Sequence, residues 1–346
     1  MKSIDESRNA SCTGRFDRRA LLVGTGAAAL GALAVPLLSQ VTSRRTPVFL
    51  ASGQKYDGPL VATIREGLLA TGFDKDWVRG RSVLLKPNMV EPARQSPQMT
   101  TNPAIVRAVT EVFRQWDARV KVGEGPGHVR DTEMALVESR LGDALTADKI
   151  PFADLNYEEV RWVKNESRVS PLQGLYFPRA IMEADLVVSL PKLKTHHWVG
   201  MTCSLKNLYG TLPGIMYGWP KNVLHHAGIP ETVVDINASL TKTIAIVDGI
   251  ECMEGDGPIM GTTKHLGLIA IGTNLTAVDA TCARVMGFEP AEISYLQLAA
   301  GRLGPIRESL IEQRGERWQS LISPFTILDR PHLRKIQAHK PGVLTS

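Results

Sequence analysis

Six short apolar runs constrain this chain most. They are Val48-Phe49-Leu50, Val83-Leu84-Leu85, Val120-Lys121-Val122, Leu186-Val187-Val188-Ser189-Leu190, Ile244-Ala245-Ile246-Val247 and Leu268-Ile269-Ala270-Ile271. Several are rich in β-branched residues and do not alternate with polar ones, as expected of strands covered on both faces of a parallel sheet. Helical periodicity lies between them. Asn102 reads as an N-cap with Pro103 in the first turn, and Ile105, Val106, Val109, Val112 and Phe113 form the apolar stripe that follows. Further helices are expected over 58–70, 131–140, 231–240, 276–286 and 291–301. Alternating strands and helices predict an α/β fold, a layered and mostly parallel sheet with helices on both faces. The segment 191–229 is rich in Gly, His and Lys and too long for an ordinary connection, so a functional loop or small subdomain is expected there. The main domain is expected over 46–305, followed by a C-terminal extension over 306–346.

The N-terminus reads as an address. Arg18-Arg19 precedes an uncharged Ala, Leu and Gly-rich run from Ala20 to Val41, the pattern of a twin-arginine export signal. Ala32-Leu33-Ala34 offers small residues for cleavage, so the signal is expected over 1–34; an uncleaved anchor reaching Val41 is the alternative. Envelope or periplasmic localisation follows, with the export machinery as a partner and membrane contact only through this segment. Gly24-Thr25-Gly26 mimics a dinucleotide-binding loop but follows no strand. Proteins taking this route fold before export, which favours a cofactor inserted beforehand and folding without disulfides.

Composition excludes several classes. With 43% hydrophobic and 22% charged residues, neither disorder nor a polytopic membrane protein describes the whole chain. The net charge is +5, of which residues 1–34 contribute five positive and three negative side chains. The remainder carries 35 and 32, too balanced for a nucleic-acid footprint. Cys12, Cys203, Cys252 and Cys282 have no C-x-x-C spacing, which argues against zinc and iron–sulfur sites. No P-loop and no G-x-S-x-G elbow occurs.

The polar residues sit at the ends of the apolar runs. The second passes into Lys86-Pro87-Asn88, the third into Gly123-Glu124-Gly125, the fourth into Pro191-Lys192-Leu193-Lys194-Thr195-His196, the fifth into Asp248-Gly249-Ile250 and the sixth into Gly272-Thr273-Asn274. Ligands of open parallel sheets bind outside the carboxyl ends of the strands, so these five endings are expected to converge on one cleft.

The segments Leu84-Leu85-Lys86-Pro87-Asn88, Leu190 to His196, Ser204-Leu205-Lys206-Asn207-Leu208-Tyr209-Gly210, Asp248-Gly249-Ile250 with Glu254-Gly255-Asp256-Gly257-Pro258, and Ala277-Val278-Asp279-Ala280 with Met286-Gly287 occur in that order. Together they resemble the DUF362 family, a family of unknown function, over roughly 46–305. Some relatives carry a ferredoxin-like cysteine run; this chain has none, so that property does not carry over.

The chemistry therefore rests on the residues. Lys86, Lys192, Lys194 and Lys206 are expected to hold an anionic substrate, and crowding among them would free one as a base or imine-forming nucleophile. His196 and Glu124 or Glu254 are of types that move protons or hold a divalent metal, so a metal at Glu124, His196 and Glu254 is one expectation. Asn88, Thr101, Asn207, Asp248, Asn274 and Asp279 are the remaining ligand-binding candidates. Thr101 equally serves the turn before Pro103, and Asp279 equally suits a helix dipole. His225-His226 also reads as a polar loop. Three readings follow: an enzyme acting on a small anion by proton transfer or redox chemistry, a non-catalytic envelope protein binding an anion or metal complex, and an electron-transfer protein.

Overall fold

A computed structural model describes residues 45–240 and 242–337. The export signal, its cleavage position and Cys12 lie outside the described residues. Among the described residues no helix is long and apolar enough to cross a membrane.

Twelve strands are described. β1 is Thr46–Ala51, β2 Ser82–Pro87, β3 Arg119–Glu124, β4 Phe152–Asp154, β5 Val160–Lys164 and β6 Gly174–Pro178. β7 is Leu186–Leu190, β8 Lys192–His196, β9 Gly200–Thr202, β10 Thr243–Glu254, β11 Thr262–Gly272 and β12 Ile311–Gly315. Ten of them build one sheet in the order β12-β1-β11-β10-β7-β2-β3-β4, with β8 on the far half of β10 and β9 on β8. β5 and β6 form a separate antiparallel pair.

The sheet is mostly parallel, as the unalternating apolar runs require. Its strand residues divide by parity: Val83, Leu85, Val188, Ile244, Ile246, Ile269 and Ile271 enter one core. Leu84, Val187, Ala245, Val247, Leu268 and Ala270 enter the other. Helices Leu60–Ala70 and Pro103–Gln115 cover the first face, with Ile64, Leu68, Val109 and Phe113 inward. Helices Ile229–Ser239, Leu275–Val285 and Ser294–Ala299 cover the second, with Val233, Ile236, Val278 and Leu296 inward. The Asn102 cap is present: its Oδ1 accepts the Ala104 N–H at 2.9 Å.

Two features depart from the expected organisation. β11 pairs antiparallel with both β10 and β1, so it runs against the parallel strands. Its last residues therefore reach the opposite edge of the sheet from the ends of β2, β3, β7 and β10. The segment after 305 is no appendage: β12 pairs parallel with β1, and Phe325, Leu333 and Ile336 are buried in the main core.

The 191–229 segment is ordered into the β8–β9 hairpin and a chain of short helices, among them Ser204–Asn207, Gly214–Tyr217 and Asn222–His226. Pro191 separates β7 from β8, and its carbonyl accepts the Asp248 N–H at 2.9 Å, which keeps both strands on β10.

Candidate active site

The ends of β2, β3 and β8 and the short helices after β9 surround a cavity of about 250 Å³. Among the described residues Glu124 is the single carboxylate on its wall. Lys206 and Lys221 supply the ammonium groups, and His128, His196, His197 and His225 the imidazoles.

A buried ion pair forms its inner end. Lys86 and Glu124 lie at the ends of neighbouring parallel strands, and the Lys86 ammonium donates to the Glu124 carboxylate and to the Pro87 carbonyl (2.6 Å). Burial pushes the Glu124 carboxyl up and the Lys86 ammonium down, and each is partly offset by the other's charge. Asn207 locks the pair in place: its Nδ2 donates to the Lys86 carbonyl (2.9 Å) and to Ser189 Oγ (3.1 Å). Gly210 is the third wall. A Cβ there would lie 2.7 Å from Glu124 Oε1 and from Lys86 Nζ, so only glycine permits this approach. Among the described residues the other Glu124 oxygen, Oε2, and Asn88 Oδ1 are buried without a hydrogen-bond partner, and both residues line the cavity.

The remaining cations have no such partner. Among the described residues neither Lys206 nor Lys221 forms an ion pair. Lys221 holds a left-handed backbone (φ 68°) that turns its side chain inward, where Nζ donates to the Leu212 carbonyl and to Asn156 Oδ1 (3.4 Å). Burial, opposed in part by Glu124, pushes it down to about 7. Lys206 sits with Nζ 3.9 Å from the Tyr209 ring centroid. Burial, then the neighbouring Lys221 and Lys86 charges, push it also down to about 7.

The mouth is aromatic. Tyr209 stacks on His225 (5.9 Å between centroids), and His225 meets Trp198 edge-on (5.2 Å). Burial and then Lys206 push His225 down to about 4 and His196 well below its ordinary value, so both imidazoles are neutral. His196 Nδ1 accepts the Trp198 N–H at 3.1 Å, which leaves Nε2 to carry the ring proton.

The other sequence candidates take supporting places. Lys192 pairs with Asp248 (2.6 Å), and Tyr56 bonds to both. Asp248 also accepts the Asn102 N–H (2.9 Å), so this network braces the floor rather than the cavity wall. Lys194 is buried with Nζ on the Met99 carbonyl (2.7 Å), and burial followed by the neighbouring Lys192 and Lys206 push its pKa well down. Thr101 Oγ1 accepts the Asn88 N–H (2.8 Å) and donates to the Leu190 carbonyl, tying the ends of β2 and β7.

Three expectations need correction. Asn274 is at the opposite edge, because β11 is antiparallel; its Oδ1 caps the helix Leu275–Val285 through the Ala277 N–H (3.0 Å) and its Nδ2 donates to Leu303. Asp279 does not line the cavity. It accepts the Ser204 N–H (2.8 Å), the Leu205 N–H (3.1 Å) and the Tyr295 hydroxyl (3.3 Å), and so pins from behind the short helix that carries Lys206 and Asn207. Glu254 is engaged with Lys264 (3.3 Å) and the Thr326 N–H (2.9 Å), away from Glu124 and His196. Among the described residues no group of three or more His, Cys, Asp or Glu side chains is placed to hold a metal. The Glu124, His196 and Glu254 triad is therefore not assembled.

Sequence reasoning missed Lys221 and Trp198, placed His128 at the end of the third strand's polar cluster without a role, and left His225 between two readings. The available signal for Lys221 was its place within the long Gly, His and Lys-rich segment. Tyr209 and Gly210 stand in the family-like segment Ser204 to Gly210, whose residue types alone assign neither a role.

Residues 83–284 match the family described as "Domain of unknown function (DUF362)". The chain belongs to this family. Its motif segments around Lys86, Lys192, Lys206 and Asp248 supply the cavity's inner end and its braces. A curated relative is the "Thylakoid-associated protein sll1697" of Synechocystis sp., 30% identical over 264 residues, covering 74% of this chain and 79% of that protein. The structure of the lactate racemase apoprotein from Thermoanaerobacterium thermosaccharolyticum is similar with a TM-score of 0.44 and 15% identity. That match covers 69% of this chain and spans 57% of the other.

Proposed function

We propose that this DUF362 protein is an enzyme that binds a small anionic substrate in the strand-end cavity and moves a proton on it. The observation that carries this reading is the charge imbalance of the wall. Its single carboxylate, Glu124, is already engaged by Lys86, while Lys206 and Lys221 line the same space without a counter-ion among the described residues. A carboxylate or phosphate entering there would supply the missing negative charge, and at about 250 Å³ the space suits a small molecule. Proton transfer is favoured because amines tuned near neutrality and neutral imidazoles share the wall.

The test is exchange. The full chain is incubated in deuterated water with small carboxylic acids bearing an acidic C–H, and loss of the C–H signal is followed by proton NMR. Exchange with one acid that vanishes in Lys206→Met supports the reading; no exchange with any acid that binds would reduce the protein to a binder.

We also propose export by the twin-arginine route to the cell envelope. Support comes from Arg18-Arg19 before the uncharged run to Val41, and from a relative whose name describes it as thylakoid-associated. Fractionation with N-terminal sequencing tests this: envelope protein beginning after Ala34 is expected, and an intact N-terminus in the cytoplasm overturns it.

A further inference from the structure

Lys206 differs from the other lysines of the site in what surrounds its nitrogen. Lys86 is bound to Glu124, Lys192 to Asp248 and Tyr56, Lys194 to the Met99 carbonyl and Lys221 to the Leu212 carbonyl. Among the described residues the Lys206 nitrogen has only the face of Tyr209, 3.9 Å away, which leaves its lone pair free. It lies on the wall of the cavity, at the inner limit of the aromatic mouth. Its short helix is fixed from behind by Asp279 through two backbone N–H groups, so the nitrogen is held in position.

From this geometry we infer that Lys206 is a covalent nucleophile, and that the substrate is an anion bearing a ketone or aldehyde, such as a 2-oxo acid, which it captures as an imine. The inference rests on the anion-binding reading above. In the step, the Lys206 lone pair bonds to the carbonyl carbon and the carbon–oxygen bond breaks. The oxygen leaves as water, taking one proton from the amine and one from the Lys221 ammonium. The product is a protonated imine that retains the second amine proton, so atoms and charge balance. No oxidant or reductant is required. The protonated imine then acidifies the neighbouring C–H; the neutral His225 imidazole takes that proton, and the C–H electron pair moves toward the imine nitrogen to leave a neutral enamine.

The charged groups around the nitrogen suit this order of events. Burial comes first, and the Lys221 and Lys86 charges also favour the free amine; Lys194 and Lys206 repel one another as well. His196, His225 and His128 add no positive charge near neutral pH because each is lowered. An amine whose pKa is brought near 7 by desolvation and cationic neighbours is an activated nucleophile.

The experiment is reductive trapping. Pyruvate, the smallest ketone carrying a carboxylate, is added to the full chain with borohydride, and the adduct is mapped by peptide mass spectrometry. The expected result is an N-carboxyethyl adduct at Lys206 that is absent in Lys206→Met, and trapping that reaches half its maximum near pH 7. An uncharged ketone of similar size, acetone, should be trapped at Lys206 more weakly at equal concentration. An adduct at Lys221, Lys86 or scattered surface lysines, or no adduct, overturns the imine. Because the wild-type map alone assigns the residue, a Lys206→Met chain that fails to fold does not spoil the test. Thermal stabilisation by lactate, an anion with no ketone or aldehyde, separates the two failures. If lactate stabilises but pyruvate is not trapped, the imine falls and the anion site stands. If neither stabilises nor traps, both fall.

Discussion

Replacing Lys221 by methionine should stabilise the protein at neutral pH and remove part of its pH dependence. Lys221 is 2% exposed, and its ammonium has two neutral oxygen partners but, among the described residues, no ion pair of its own. Its pKa falls from 10.5 in the unfolded chain to about 7 in the fold, with burial as the largest cause. Between those values the unfolded chain binds more protons than the native one, so stability rises with pH across that window and is lost as pH falls toward 7. A span of about 3.5 units at about 1.4 kcal/mol each gives about 5 kcal/mol, most of it already lost at pH 7. Coupling to Lys206, Lys86 and Glu124 reduces what one substitution recovers, and each lost hydrogen bond costs about 1 kcal/mol. The net expectation for Lys221→Met at pH 7 is a gain of about 2 kcal/mol, a rise of about 3 °C in melting temperature for a domain of about 300 residues. At pH 10 the gain should vanish and the lost hydrogen bonds should leave the variant weaker than wild type. Urea denaturation of both proteins from pH 6 to 10 measures this. Parallel stability profiles, or a variant less stable at every pH, would refute the claim that an uncompensated charge is buried there.

Other outcomes follow from the same geometry. Lys86→Met should cost about 3–5 kcal/mol, because it strands the buried Glu124 carboxylate; an unchanged denaturation midpoint would show the pair is not buried as described. Gly210→Ala should cost about 1–3 kcal/mol, because its Cβ would stand 2.7 Å from both members of that pair; a stabilised variant would contradict the close approach. Asn274→Ala should cost about 1 kcal/mol through the lost helix cap while leaving anion binding unchanged; weakened binding would place Asn274 at the wrong edge.

The apolar runs reported the sheet well because strands buried on both faces have no choice but to be apolar. β2, β3, β7 and the helix behind Asn102 were legible for that reason. Direction was harder. The runs ending at Val247 and starting at Leu268 left about twenty residues between them, room for a parallel crossover. In the structure β10 continues to Glu254 and β11 begins at Thr262, so the true connection is a short glycine-bearing turn and the strand must return antiparallel. Polar residues such as Glu251, Thr262 and Thr263 hid those extensions, because there the strands leave the helical layers and their side chains are half-buried or exposed. β12 was missed because an edge strand needs little apolar character, and its burial is confined to Ile311.

The site was legible as residue types and less so as roles. Lys86 and Glu124 meet because parallel neighbours deliver their last residues to one edge, and the short helix Ser204–Asn207 brings Lys206 and Asn207 to the same place. Lys192 and Asp248 also meet, but their charges cancel in a buried pair that only coordinates in space reveal. Asp279 carried two readings, and its partners select a third role, holding the helix of Lys206. Lys221 depends on a left-handed turn among short helices, a conformation that spacing alone does not announce.

The most direct test of the central claim is calorimetric titration at pH 6 with a panel of small carboxylates and inorganic phosphate, where Lys206 and Lys221 are largely protonated. The account predicts saturable one-to-one binding of at least one anion, weakening as pH rises past 8 and lost in Lys206→Met and Lys221→Met. Absence of binding across the panel, or equal affinity in both variants, would contradict it.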